Sequence, residues 1–309
     1  MNCLTLNACG FGDSVKWKWV QRLHTSLHLN FISIQETQLL DFSSINVMEC
    51  WNGTDFDFDG VNAYGRSGGL ISIWNRDIFS KTEVIKNRNF LIVVGKWRGI
   101  DDNVIMANVY GPHTNSERRD LWRDLLDLKN KKDGIWVFMG DFNVVRRSEE
   151  RCNSVFCPSS AAAFNQFIAQ ADLLELNMGG SKFTYMSRVG AKLSKLDRFL
   201  VCHRFLAAFP NAVVTVYPRE LSDHNPVSLI STKADFGGPH FKIFNSWLLN
   251  KEVDKVVTIA CSTFRGHGTP DKYFAAKLRY IKSQLKTWRR VLMQKINAEN
   301  YGDSKNSCP

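Results

Sequence analysis

No apolar run in this 309-residue sequence approaches the length of a membrane-spanning helix, which excludes an integral helical membrane protein. A charged-then-apolar leader is missing too. Strand-like sequence begins by Leu4, so no secretory leader is expected. Eight cysteines run from Cys3 to Cys308 without a single C-x-x-C, and no histidine pair has zinc-ligand spacing. This speaks against a zinc centre or a disulfide scaffold. It fits reduced thiols in an intracellular protein, nuclear or cytoplasmic. Internal repeats and long low-complexity segments are also missing. At this length a sizeable core forms without covalent staples.

Positive charge is in surplus but unevenly placed. The formal net charge is +10, and residues 251–295 alone hold eleven Lys or Arg against three Asp or Glu. Such a balance suits a polyanionic partner, or simply a solvated helix face. In the same region Tyr273, Phe274, Leu278, Ile281, Leu285, Trp288, Leu292 and Ile296 recur at steps of three and four. That is the stripe of an amphipathic helix, which must pack against something. Ahead of it, Asp235-Phe236-Gly237-Gly238-Pro239 is a breaker cluster. The expected organisation is a main domain over 1–232, a linker over 233–250, a basic helical connector over 251–297 and a disordered tail over 298–309.

Within the main domain, Cys3–Asn7, Phe31–Gln35, Leu70–Trp74, Leu91–Trp97, Val104–Tyr110, Ile135–Met139, Lys195–Val201 and Val213–Tyr217 read as strands. Helices are predicted after Asp13 or Ser14, after Ser116 and from Ser160. Many strands with few helices between them do not make a regular βαβ repeat. A mixed α/β sandwich of two packed sheets with outer helices fits better.

Five polar clusters sit at or just past the ends of apolar runs: Asn7, Gln35-Glu36-Thr37, Asn108 to Pro112, Gly140-Asp141-Phe142-Asn143, and Ser222-Asp223-His224-Asn225-Pro226. Strand ends on one side of a sheet converge, so these groups are expected to share a rim. A strand-end carboxylate such as Glu36 can hold a hard cation, or can be a solvated turn residue. Asp141 and Asn143, two apart after a buried strand, can steer a water and a phosphate oxygen, or close an Asx-turn. His224 can face a phosphate as a cation or accept a proton, given an orienting carboxylate. Asp197 is the candidate, since an Asp inside an apolar strand needs a partner; Arg198 at the surface is the other choice. Tyr110 can donate its hydroxyl to phosphate or can be packing.

In this order the clusters resemble the endonuclease/exonuclease/phosphatase superfamily. Within it, Ser67-Gly68-Gly69-Leu70, Arg147-Ser148-Glu149-Glu150-Arg151, Phe183-Thr184-Tyr185 and the segment from Asp235 to Leu248 resemble the apurinic-type endonuclease domain of plant non-LTR (LINE-type) retrotransposons. The resemblance implies a four-layered αββα sandwich of two mixed sheets, followed by the basic helical appendage. It implies Mg²⁺, or Mn²⁺, held mainly by Glu36, with Asp223 and Asn7 in support. Asp141 and Asn143 would position the attacking water. His224, oriented by Asp197, would bind the scissile phosphate together with Tyr110, and Asn108, Thr184 and Ser222 would touch substrate. The implied partner is DNA, and the implied neighbour of residues 251–297 is a reverse transcriptase, although no Tyr-x-Asp-Asp occurs in this chain. Three positions depart from the family pattern: Leu6 and Tyr185 where tryptophan is usual, and Cys9 where arginine is common. The expected activity is nicking of target DNA. The alternatives are an abasic-site or small-phosphoester hydrolase of the same superfamily, and an inactive nucleic-acid-binding remnant.

Overall fold

A computed structural model describes residues 1–42, 47–64, 67–187, 189, 192–231, 247 and 250–303. The chain divides into two compact units, Met1–Lys233 and Ala234–Pro309.

The first unit is built on two mixed sheets. One has the order β11 (Met178–Gly180), β15 (Val213–Val216), β16 (Val227–Ile230), β1 (Asn2–Asn7), β2 (Phe31–Gln35), β4 (Leu70–Asn75), β3 (Phe56–Val61). The other runs β10 (Leu173–Glu175), β14 (Asp197–Cys202), β8 (Ile135–Asp141), β7 (Asn103–Tyr110), β6 (Phe90–Trp97), β5 (Phe79–Asn87). Each sheet has a parallel pair at its centre, β1 with β2 and β7 with β8. A parallel pair needs a crossover. Helix α1 (Ser14–Leu27) supplies the first and α3 (Asn115–Lys131) the second. Because parallel neighbours run the same way, Asn7 ends beside Gln35, and Tyr110 ends beside Asp141.

The period-two alternation sorts the side chains into layers. Leu4, Leu6, Ile32, Ile34, Ile71 and Ile73 form one buried cluster with Trp19 and Val20 of α1 and with Val47, Cys50 and Trp51 of α2 (Val47–Trp51). On the far sheet, Trp136 and Phe138 stack at 5.0 Å. Phe138 meets Phe167 of α4 (Pro158–Gln170) edge-on, and Phe167 stacks on Trp122 of α3 at 5.2 Å. Phe205 of α5 (His203–Ala208) belongs to the same core. Helix, sheet, sheet, helix is the expected αββα order.

Between the sheets the packing is not wholly apolar. Thr5, Ser33, Gln35, Ser72 and Asn108 are fully buried. Gln35 donates to Thr5 Oγ1 at 2.9 Å and to Asn108 Oδ1 at 2.6 Å, while Asn108 donates to the Ile71 carbonyl at 3.0 Å. Buried amides left unpaired would be destabilising by roughly 1–3 kcal/mol each. Paired across the gap, they fix the register of one sheet on the other.

Differences from the sequence expectations have local causes. Helix α3 is capped by Thr114, not Ser116. Thr114 accepts the Glu117 N–H at 3.3 Å, an N-cap bond, and its hydroxyl donates to the Glu117 carboxylate at 2.6 Å. Helix α4 starts at Pro158 after Cys157, not at Ser160, because proline's fixed φ suits the first helical position. Strand β5 is an edge strand with a mostly exposed, polar sequence, so it lacks the apolar signal. A third small sheet of β12 (Tyr185–Met186), β13 (Leu193–Ser194) and β9 (Arg151–Cys152) is too short for a periodic pattern.

In the second unit the amphipathic stripe belongs to α7 (Pro270–Asp303), and α6 (Lys251–Thr263) precedes it. The two helices pair: Trp288 donates to Glu252 at 3.2 Å, and Phe264, between them, rests on Tyr273 and Tyr280. The predicted linker falls almost wholly outside the described residues; of the tail expected over 298–309, residues 298–303 continue helix α7 and the rest lies outside the described residues.

Candidate active site

The C-terminal ends of β1, β2, β7 and β8 meet at one rim, and the loop before β16 closes over them. There the chain makes two sharp departures. Glu36 and Asn143 both have positive φ, 52° and 51°. Non-glycine residues in this left-handed region are uncommon and gather where the surroundings force them. The Glu36 turn is clamped by Gly10 N–H to its carbonyl at 2.8 Å, and by Thr37 and Gln38 N–H to Gly69 and Gly68 at 3.1 and 3.0 Å. A Cβ on Gly69 would lie 2.3 Å from Thr37 Oγ1, which explains the Ser-Gly-Gly-Leu run.

The side chains then converge. Asn7 Nδ2 donates to Glu36 Oε2 at 3.1 Å and to Asp141 Oδ2 at 2.9 Å, so one carboxamide bridges two carboxylates. Its oxygen accepts the Cys9 N–H at 3.0 Å. Asp141 Oδ1 accepts the Asn143 N–H at 2.9 Å, and Asn143 Nδ2 donates to the Gly111 carbonyl at 2.8 Å. Asp141 and Asn143 therefore come together through an Asx-turn. The strand alternation expected to align them ends at Asp141.

Asp197 faces Asp141 across the β14–β8 ladder and sits 2.8 Å from His224 Nδ1. His224 Nε2 lies 3.8 Å from the same Asp141 Oδ2 that Asn7 holds. The competing partner for Asp197 is ruled out by the pleat. Arg198 points to the opposite face, fully buried, and binds Glu150 at 2.5 Å and Glu175 at 2.6 Å. Ring packing from Tyr185, 4.9 Å between centroids, covers His224.

Not every expected residue reaches the cavity. Asn108 is the inter-sheet clip described above. Thr184 is also fully buried, and its hydroxyl accepts the N–H groups of Leu196 and Asp197 at 2.9 and 3.0 Å. The expectation of substrate contact at these two positions is corrected to a supporting role, because neither has exposed surface. Ser222 donates to the Asn7 carbonyl at 2.7 Å and accepts the His224 N–H at 3.1 Å, so it ties loop to strand. Tyr110 lies next to Asp141, 5% exposed, 3.5 Å from His113 Nε2.

Electrostatics follow from burial and neighbours. Burial, then the charges of Glu36 and Asp141, hold the Tyr110 phenol well above its ordinary pKa, so it is a donor. Burial pushes Asp141 up to about 6 against the pull of His224. For His224 burial opposes the charge, but Asp197 and Asp141 outweigh it and carry the imidazole up to about 9. Ligand atoms of Asp141, Asp197 and His224 lie within 4.8 Å of one another, a group that could hold a metal ion. Glu36, Asp141 and Asp223 line the same cavity, and carboxylate oxygens are the donor type a hard divalent cation takes. The cavity holds about 490 Å³. Its walls also include Arg118, Arg151, Ser154 and Lys192, which pattern reading missed. Arg118 reads as the charged face of an amphipathic helix. Arg151 was visible only as the end of the Arg147–Arg151 motif.

Two mixed sheets between helices, with carboxylates, carboxamides and an Asp–His pair gathered at one rim, define a hydrolase scaffold of the nuclease and phosphatase kind. The sequence model described as "Endonuclease/Exonuclease/phosphatase family" matches residues 4–224, and the chain belongs to that family. No curated protein matches it in sequence. Among solved structures it is similar in fold to the AP endonuclease LMAP from Leishmania major, with TM-score 0.59, 14% identity, and 74% of this chain and 86% of that one covered. It is also similar to the 3′ phosphatase NExo from Neisseria bound to product DNA hairpin, with TM-score 0.59, 16% identity and coverage of 75% and 99%. A third is the endonuclease domain of TRAS1, a telomere-specific non-LTR retrotransposon, with TM-score 0.53, 16% identity and coverage of 74% and 96%. No described helix is long and apolar enough to cross a membrane.

Proposed function

We propose that this chain is a Mg²⁺-dependent phosphodiesterase that nicks DNA, the endonuclease part of a plant LINE-type retroelement. A reverse transcriptase would be the native neighbour of residues 251–297, and the site of action would be nuclear or cytoplasmic. One observation carries the reading. A single oxygen of Asp141 lies 2.9 Å from the Asn7 amide that bridges to Glu36 and 3.8 Å from the His224 ring held by Asp197. Cation-holding and phosphate-facing groups thus share one atom's surroundings. The neighbours that act on abasic-site DNA, hold product DNA, or come from a retrotransposon lend support by fold.

Glu36 and Asp223, with Asn7 supporting them through its amide, would hold Mg²⁺ or Mn²⁺, which when bound would offset the charge that develops on the phosphate in the transition state. Asp141 orients the attacking water, and Asn143 fixes Asp141 through its N–H. His224, charged at neutral pH and clamped by Asp197, faces the scissile phosphate, and Tyr110 donates its hydroxyl to a phosphate oxygen. Water is excluded from the imidazole by Tyr185.

The test is conversion of supercoiled plasmid to the nicked circle in Mg²⁺, with EDTA and Glu36→Ala as comparisons. Chelation should abolish nicking, and the variant should lose at least about 10²-fold in rate. A Glu36→Ala protein as active as wild type refutes the assignment. Strong preference for an abasic duplex over plasmid would move the substrate to the repair alternative.

A further inference from the structure

Three buried polar groups on the wall of this cavity lack partners. They are Arg118 Nε, Arg151 Nε and Ser154 Oγ. Arg118 is 9% exposed. Its Nη1 donates to the carbonyls of Pro112 and His113 at 2.8 and 2.9 Å, and its Nη2 to Ser160 Oγ at 3.2 Å and to Asn115 Oδ1. All of these acceptors are neutral. Arg151 donates to the Val155 carbonyl at 2.8 Å. Among the described residues neither guanidinium has a carboxylate partner, although arginines elsewhere in the unit, such as Arg146 and Arg198, do.

Two like charges near each other, one of them buried, are unfavourable unless an anion joins them. Burial holds the Arg118 pKa below its ordinary value; Cys157 pulls it back up, Arg151 pushes it down and Asp141 again raises it. Lys192 lies on the same cavity. The carboxylates of the site, Glu36, Asp141 and Asp223, share the cavity without pairing to either arginine. An acidic side chain would have been the simple solution, and the fold leaves that place to something from outside. Guanidinium N–H groups and a hydroxyl suit the oxygens of a phosphate diester.

We propose that Arg118, Arg151 and Ser154 form a second anion subsite, which takes a non-scissile backbone phosphate of the strand being cut. This rests on the phosphodiesterase reading above and deepens it. A site that grips two successive phosphates selects a polynucleotide over a single small phosphoester.

The experiment is binding of a short DNA duplex in EDTA, where no cleavage occurs, across a range of salt. Each lost phosphate contact should lower the slope of log affinity against log salt by about 0.9. Arg151→Ala and Arg118→Ala should each show that decrease and bind about tenfold more weakly at moderate salt. Because both arginines grip one phosphate, the double variant should lose no more than that one contact, a slope change of about 0.9 in total. Ser160→Ala removes one hydrogen bond from Arg118 but keeps the charge, so its slope should match wild type. If Arg118 only staples α3 to α4, Arg118→Ala lowers the melting temperature and leaves the slope unchanged, which overturns the proposal. Should Arg118→Ala fail to fold, an unchanged slope in Arg151→Ala overturns it equally. Plasmid nicking that depends on Glu36 together with unchanged slopes would sink the subsite alone. Altered slopes without any nicking would sink the nuclease reading alone.

Discussion

Glu175 offers the most exacting test of the buried charge cluster behind β14. It is 10% exposed and takes three cations: Arg146 at 2.8 Å, Lys195 at 2.7 Å and the fully buried Arg198 at 2.6 Å. Burial raises its pKa, but Arg198 and Lys195 more than reverse this and bring it to about 2 from 4.5. A depressed carboxylate pKa means that the folded state binds the proton less readily than the unfolded chain. The stabilisation is therefore complete above pH 4.5 and vanishes as pH falls through about 2. A shift of about 2.5 units corresponds to roughly 3 kcal/mol, of which about 2 kcal/mol is gone by pH 3. Glu175→Gln removes this linkage and leaves Arg198 with Glu150 alone. Urea unfolding from pH 7 to pH 3 should show the wild type falling towards the variant by about that amount. Glu150 also accepts the Arg146 N–H at 2.6 Å, and its carbonyl takes the Lys195 N–H at 2.9 Å, so the cluster is cross-linked beyond Glu175. Parallel pH curves for the two proteins would show that the cluster carries no such energy.

Asp197→Asn should return the His224 pKa towards the ordinary histidine range, read as an NMR titration of the ring. Nicking at pH 8 should fall by about 10²-fold or more while DNA affinity changes little; an unshifted titration would remove Asp197 as the orienting group. Gly140→Ala should be among the most damaging single changes, since a Cβ there would lie 1.9 Å from the Val109 carbonyl oxygen and φ is +144°. A loss of about 3 kcal/mol or more is expected as a lower urea midpoint at fixed slope; a stable, active alanine variant would contradict the close approach of β7 and β8.

The eight strongest strands, the two-sheet class and the polar groups at strand ends were legible in the sequence, because alternation and apolar runs are local properties. Asn7, Glu36, Asp141, Asn143, Asp223 and His224 line one cavity, and Asp197 lies behind His224. Short strands and edge strand β5 were not legible, since three residues, or a polar face, carry no period. Nor was the fate of Asn108 and Thr184, whose neighbours are far along the chain.

What the amino-acid order determined alone was which side chains stand at the ends of strands. Which of those ends face each other was decided by tertiary structure, through the parallel pairing of β1 with β2 and of β7 with β8. The pleat of β14, paired antiparallel with β8, turned Arg198 to Glu150 and Glu175 and left Asp197 to His224. Folding also left Arg118 and Arg151 without carboxylate partners among the described residues. A counter-charge is a relation between segments brought together only by folding, so no window of sequence contains it.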